Sequence, residues 1–66
     1  MKITYDKRAN AVYIYFKENI AIDETTEDKS GRIIIDYAAD GSIVGIEILN
    51  ASDKLSFPIN PNFVEL

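Results

Sequence analysis

Cysteine and histidine are both absent from the 66 residues. Without thiols no disulfide can staple the fold. Without thiolate or imidazole, a structural zinc site lacks its usual ligands. The lack of histidine also leaves Ser30, Ser42, Ser52 and Ser56 without the ordinary base that activates a hydroxyl nucleophile, and no Ser–Lys spacing replaces it. Glycine is scarce, and nothing has the form of a glycine-rich phosphate loop. The longest unbroken apolar run, AVYIYF, is far too short for a membrane span. The charged opening MKITYDKRAN has no apolar stretch of signal-peptide length. We therefore expect no membrane association and no cofactor or metal, and a cytoplasmic location, which the lack of cysteine fits.

Basic charge is also in short supply. Seven Lys and Arg against eleven Asp and Glu leave a net charge of −4. That average field repels a phosphate backbone, and Lys7-Arg8 is only a dipeptide in an expected turn, so no nucleic-acid partner is expected. An acidic surface suits solubility or a basic protein partner.

A chain this short sits near the lower limit for folding alone. Ordering it costs about 100 kcal/mol, at about 1.5 kcal/mol per residue. Burying about 3,800 Å² of apolar surface at about 25 cal/mol/Å² returns about 95 kcal/mol. A balance so close to zero points to a partner subunit, and a homodimer or larger assembly is expected.

What is present is alternation with period two. It predicts a mainly β fold: a small antiparallel β-meander of five strands over residues 2–6, 11–16, 20–27, 32–37 and 43–49. A short helical turn near residues 51–55 follows, with Asn50 as its N-cap and Asp53 near its positive end. Residues 1–55 form one domain and 56–66 an extended C-terminal tail, in which Pro58 and Pro61 forbid a helix interior or a central strand.

The clearest segment is DYAADGSIVGIEILNAS, a hairpin around Asp40-Gly41 with either a four-residue loop or a two-residue turn. Either choice puts Ile33, Ile35, Tyr37, Val44, Ile46 and Ile48 on one face, and Arg32, Ile34, Asp36, Ile43, Gly45, Glu47 and Leu49 on the other. In the first hairpin, DKRANA is a four-residue loop with Asn10 left-handed and Asp6 facing Ala11. Ile3, Tyr5, Val12, Ile14 and Phe16 then share the apolar face, while Lys2, Thr4, Tyr13 and Tyr15 share the mixed one. The expected core is Ile3, Val12, Ile14, Ile33, Ile35, Ile46 and Ile48.

Asp36 and Glu47 are the acids set deepest in apolar strands. Paired carboxylates can do acid–base work or hold a hard cation, which would make this a small cation-binding or hydrolytic protein. Arg32 on the same face as Glu47 favours a solvated cross-strand charge pair instead. DYAADG shares Asp-x-x-x-Asp-Gly with a calcium loop but lacks its third-position ligand and closing Glu, so a tight hairpin explains it better. The run Asp23, Glu24, Glu27 and Asp28 is expected to be a solvated edge. Gly45 in mid-strand marks a close approach, by a partner or by the tail. Tyr13 and Tyr15 carry apolar bodies with polar tips, suited to a protein interface. With Ile34, Ile43, Gly45, Leu49 and the tail residues Phe57 and Phe63, they form the expected partner-binding set. No catalytic residue is assigned.

MKITYDKRANAVYIYF followed by GRIIIDYAADGSIVGIEILNAS resembles a family of small prokaryotic proteins catalogued as domain of unknown function 2283. Its members show YD…ADALYI early and DYDEDGxIVGIEIL-AS later. The resemblance runs to about residue 55 and is most specific at VGIEIL and AS. Asn10 stands where an acid is frequent, and YAADG where YDEDG is frequent. The resemblance implies a small antiparallel sheet and brings no activity and no catalytic residues. It further implies an antitoxin-like role, as partner of a small basic ribonuclease-like toxin. From the residues themselves, the expected function is a non-enzymatic protein-binding module that self-associates.

Overall fold

The computed structural model describes residues 1–53 and the backbone of residues 63–65. Five antiparallel strands lie close to their expected positions: β1 (Lys2–Asp6), β2 (Ala11–Tyr15), β3 (Glu24–Glu27), β4 (Ile33–Tyr37) and β5 (Ile43–Leu49). A 3-10 turn, Ala51–Asp53, follows β5. A short β6 (Phe63–Glu65) pairs parallel with β1, Ile3 opposite Phe63. Phe57 lies outside the described residues. No described helix is long and apolar enough to cross a membrane.

The sheet order is β3-β4-β5-β2-β1-β6, so β2 and β3 are not neighbours as a simple meander would make them. The reason is which strand belongs in the middle. A strict meander would put β3, ETTE, whose residues are all exposed, at the centre of the sheet. Here the longest and most apolar strand, β5, lies between β2 and β4, and β3 is the edge. The link over residues 16–23 crosses three strand spacings, about 14 Å. That is well within the reach of eight residues at roughly 3.3 Å each. Ile20 and Ile22, read as strand, belong to this crossing and are 48% and 52% exposed. Phe16, expected at the end of the second strand on its apolar face, falls just past β2 and is exposed, because the amides of Phe16 and Lys17 both donate to the Val44 carbonyl and break the regular ladder.

The β4–β5 turn is neither of the two expected forms. Ala38 N–H donates to Ser42 O and Gly41 N–H to Ala38 O, with Gly41 at φ +86°. This is a three-residue loop whose last residue is left-handed. It puts Tyr37 opposite Ile43, one residue out of step with the pairs Asp36–Gly45 and Ile35–Ile46. A bulge beyond Asp36 absorbs the slip, so the body of the hairpin keeps its expected faces. Asp40 pins the loop by accepting from the Ser42 amide and hydroxyl, which holds its carboxyl below the usual range. Asp28 does the same at the β3–β4 turn, where Ser30 Oγ is its strongest donor.

The first hairpin is as expected, with Asp6 opposite Ala11 and Asn10 at φ +51°. Asn10 also holds the far end of the fold. Its carbonyl accepts from Ala51 N–H, its Oδ1 from Ser52 N–H and from the Tyr5 hydroxyl, and its Nδ2 donates to Ser52 Oγ. These bonds seat Ala51, fully buried, against Ile3, Tyr5 and Val12, with Ile14 and Ile48 packed alongside. Asn50 is itself left-handed, at φ +51°, so it is not the N-cap expected for the turn.

The core is therefore concentrated over β1 and β2. Ile33, Ile35 and Ile46, expected in it, are only half-buried. Because β6 pairs with β1, deleting residues 57–66 should uncover an apolar strand edge. A lower melting temperature or a larger sedimentation coefficient for the truncated chain is the expected result. If both are unchanged, β6 contributes nothing to stability or assembly.

Candidate functional site

The mixed face is built around a carboxylate that the sequence suggests is wet. Asp36 is buried, 8% exposed, and both its oxygens are engaged. Oδ2 accepts from the Tyr13 hydroxyl at 2.5 Å and Oδ1 from Thr25 Oγ1 at 2.8 Å. Three strands contribute: β2 supplies Tyr13, β3 supplies Thr25 and β4 supplies Asp36. The fourth contribution is an absence. To reach from β2 to β4, the Tyr13 ring must pass over β5, and it does so at Gly45. A Cβ built on Gly45 would come within 2.5 Å of the Tyr13 hydroxyl oxygen and 2.6 Å of Cζ, closer than real contacts allow. The close approach expected at Gly45 is thus made by the chain's own tyrosine.

Burial pushes the Tyr13 phenol well above the ordinary tyrosine value, and its bond to the Asp36 carboxylate pushes it the same way. It stays a protonated donor across the physiological range. Tyr15 lies against it, ring centroids 4.4 Å apart and planes tilted by 51°. Lys2 Nζ sits 5.5 Å from the Tyr15 centroid, a cation over a ring.

The two tyrosines form a ridge between two grooves of about 230 Å³ each. One is bounded by Thr4, Asp6, Ala11 and Glu47; the other by the crossing residues Glu18, Asn19, Ile20 and Ile22. Glu47 stands opposite Tyr13 in register and is half-buried. It makes no hydrogen bond or ion pair with any described residue. Its expected partner, Arg32, turns instead to Asp53 at 3.9 Å, with both side chains largely exposed. An exposed pair of that kind adds little. Asp36 and Glu47 therefore do not form a carboxylate pair in one pocket. Among the described residues, no three acidic side chains gather as a metal site would require.

Of the other interface candidates, Ile34 is half-buried between Glu27 and Glu47, and Leu49 is half-buried opposite Ala11. Ile43 is 39% exposed opposite Tyr37. Phe63 stands opposite Ile3 in β6. Thr25 and the engagement of Asp36 are not among the residues the sequence singles out. The signal for Asp36 was faint: a small residue, Gly45, beside an acid and one strand away from a tyrosine.

A single sheet with an aromatic ridge on one face and half-buried isoleucines on the other defines a small β-sheet domain with an open groove on either side of the ridge. The chain belongs to the family described as protein of unknown function (DUF2283), whose model matches residues 2–52. That span covers β1 to β5 and most of the 3-10 turn, and leaves β6 outside. No curated protein matches the chain. No solved structure matches it either.

Tyr13→Phe should cost about 2 kcal/mol in denaturant melts, since a hydrogen bond to a buried charge is lost. Gly45→Ala should cost at least as much, through the clash with the ring. Combined with Tyr13→Ala, the Gly45→Ala change should cost much less than it does alone. A strictly additive pair would mean that the ring is not what excludes a side chain at 45. For pH, the folded state holds the Tyr13 proton more tightly than the unfolded chain. That stability is fully present below about pH 10 and is lost as pH rises above it. Alkaline melts of Tyr13→Phe should show a shallower decline than the parent from about pH 10 upward.

Proposed function

We propose that this protein is a non-catalytic protein-binding module that associates with itself through the apolar face of its sheet. The observation that carries this reading is the half-burial of Ile33, Ile35 and Ile46 on the core side of the central strands. A sheet with one apolar face is stable when a second layer covers it. The Cα envelope is a slab of 32 × 28 × 17 Å. An ellipse on its two long axes encloses about 700 Å², close to the roughly 800 Å² per partner of a standard protein interface.

The β3 edge is a poor route to self-association, which favours the face. β3 carries Glu24 and Glu27 between Asp23 and Asp28, so two copies of that edge repel each other. The β1 edge is taken by β6. Support for a non-catalytic role comes from the two candidate acids: both Asp36 oxygens are already bonded, and Glu47 lies in a different surface feature. The cation-binding or hydrolytic alternative loses its paired carboxylates on the same grounds. The antitoxin-like alternative rests on family resemblance alone. In this reading the module works in the cytoplasm.

Sedimentation at roughly 50 µM should give a dimer or larger species, with mass action loosening it on dilution. Ile35→Lys should shift the population to monomer while keeping a β-sheet circular dichroism spectrum. A parent protein that is monomeric at that concentration would sink the self-association reading.

A further inference from the structure

Glu47 is a half-buried carboxylate without a partner among the described residues, and it lines a groove whose other wall is aromatic. Leaving a carboxylate partly desolvated and unpaired is unfavourable, and a cation placed beside it would remove that cost. The Tyr13 hydroxyl is already spent on Asp36, so Tyr13 offers the groove its ring. Lys2 lies over the Tyr15 ring, so that ring is suited to a cation and an incoming guanidinium displaces the lysine from it. Asp6 stands on the rim, one oxygen held by the amides of Arg8 and Ala9. Its negative charge adds to that of Glu47.

From this chemistry we infer that the Tyr13–Tyr15–Glu47 groove is a docking site for an arginine side chain of a basic partner protein. A guanidinium suits it better than an ammonium. Its plane can lie against a tyrosine ring while its edge N–H groups meet a carboxylate. The groove, about 230 Å³, takes one long side chain and not a folded surface. Nucleic acid is disfavoured although tyrosines can stack bases, because Glu47 and Asp6 would face the phosphates. The site is on the mixed face, so it does not require self-association through the apolar one. A monomeric protein could still bind, and a dimer could fail to.

The test is an NMR titration of the full chain with a short peptide containing one arginine, beside the same peptide with citrulline, the uncharged isostere. The arginine peptide should shift the amide signals of Thr4, Tyr13, Tyr15 and Glu47, and the citrulline peptide should not. Glu47→Gln should weaken binding about fivefold, as should Tyr15→Leu. The double change Glu24→Gln with Glu27→Gln removes more charge, but at the far edge, and should leave the affinity within about twofold. Because Glu47 is only half-buried, Glu47→Gln is expected to fold, and its melting temperature checks this. Tyr15→Leu is an independent second variant. Equal weakening by the edge changes, or shifts centred on Asp23 to Asp28, would mean diffuse attraction to an acidic protein and overturn the site. Undiminished binding by Glu47→Gln would overturn it as well.

Discussion

A β-sheet has two faces, and a chain of 66 residues has little to lay over either. Most of what is distinctive here answers that constraint. On one face the 3-10 turn folds back and seats Ala51 against Ile3, Tyr5 and Val12, closing the region over β1 and β2. Toward β4, Ile33 and Ile35 stay half-buried. On the other face the covering is made from within, by laying the Tyr13 ring flat along the sheet. That solution uses little chain, but it requires a strand position without a side chain. Gly45 supplies it, at the cost of weaker strand propensity and lost packing.

The same ring makes the burial of Asp36 tolerable. A carboxylate at the centre of a sheet is unfavourable unless donors satisfy it, and here two hydroxyls do. The donors come from strands on either side of the β4–β5 hairpin, so the acid ties β2 and β3 to the same centre. A buried polar group satisfied in this way favours the one strand order that brings its donors together.

The alternation in residues 1–49 made the strands and their faces legible, because a half-buried strand must alternate whatever its neighbours are. Asn10 as a left-handed turn residue was legible for an equally local reason. Strand order was not. Ile20, Ala21 and Ile22 are apolar enough to pass for strand, and nothing local says that they belong to the crossing instead. The turn at Gly41 was half-legible: the glycine announced it, but loop length and bulge compensate each other and leave the facing pattern unchanged. The environment of Asp36 was hidden, because its partners lie 23 and 11 residues away and meet it only once β5 has come between β2 and β4. Arg32, expected beside Glu47, does not pair with it, because the 3-10 turn brings Asp53 to the arginine.

Asn10 links the tip of the first hairpin to residues 42 positions further on. Each hairpin closes through local contacts and could form early. The pocket for Ala51 exists only when both are present and β5 lies against β2. The tip of the first hairpin therefore cannot reach its final hydrogen bonding until nearly the whole sheet has assembled. In kinetic language, a local and fast element is made conditional on a non-local and slow one. A chain with only one hairpin formed lacks both the Asn10–Ser52 bonds and the burial of Ala51, so these contacts reward completion of the sheet and not its first steps.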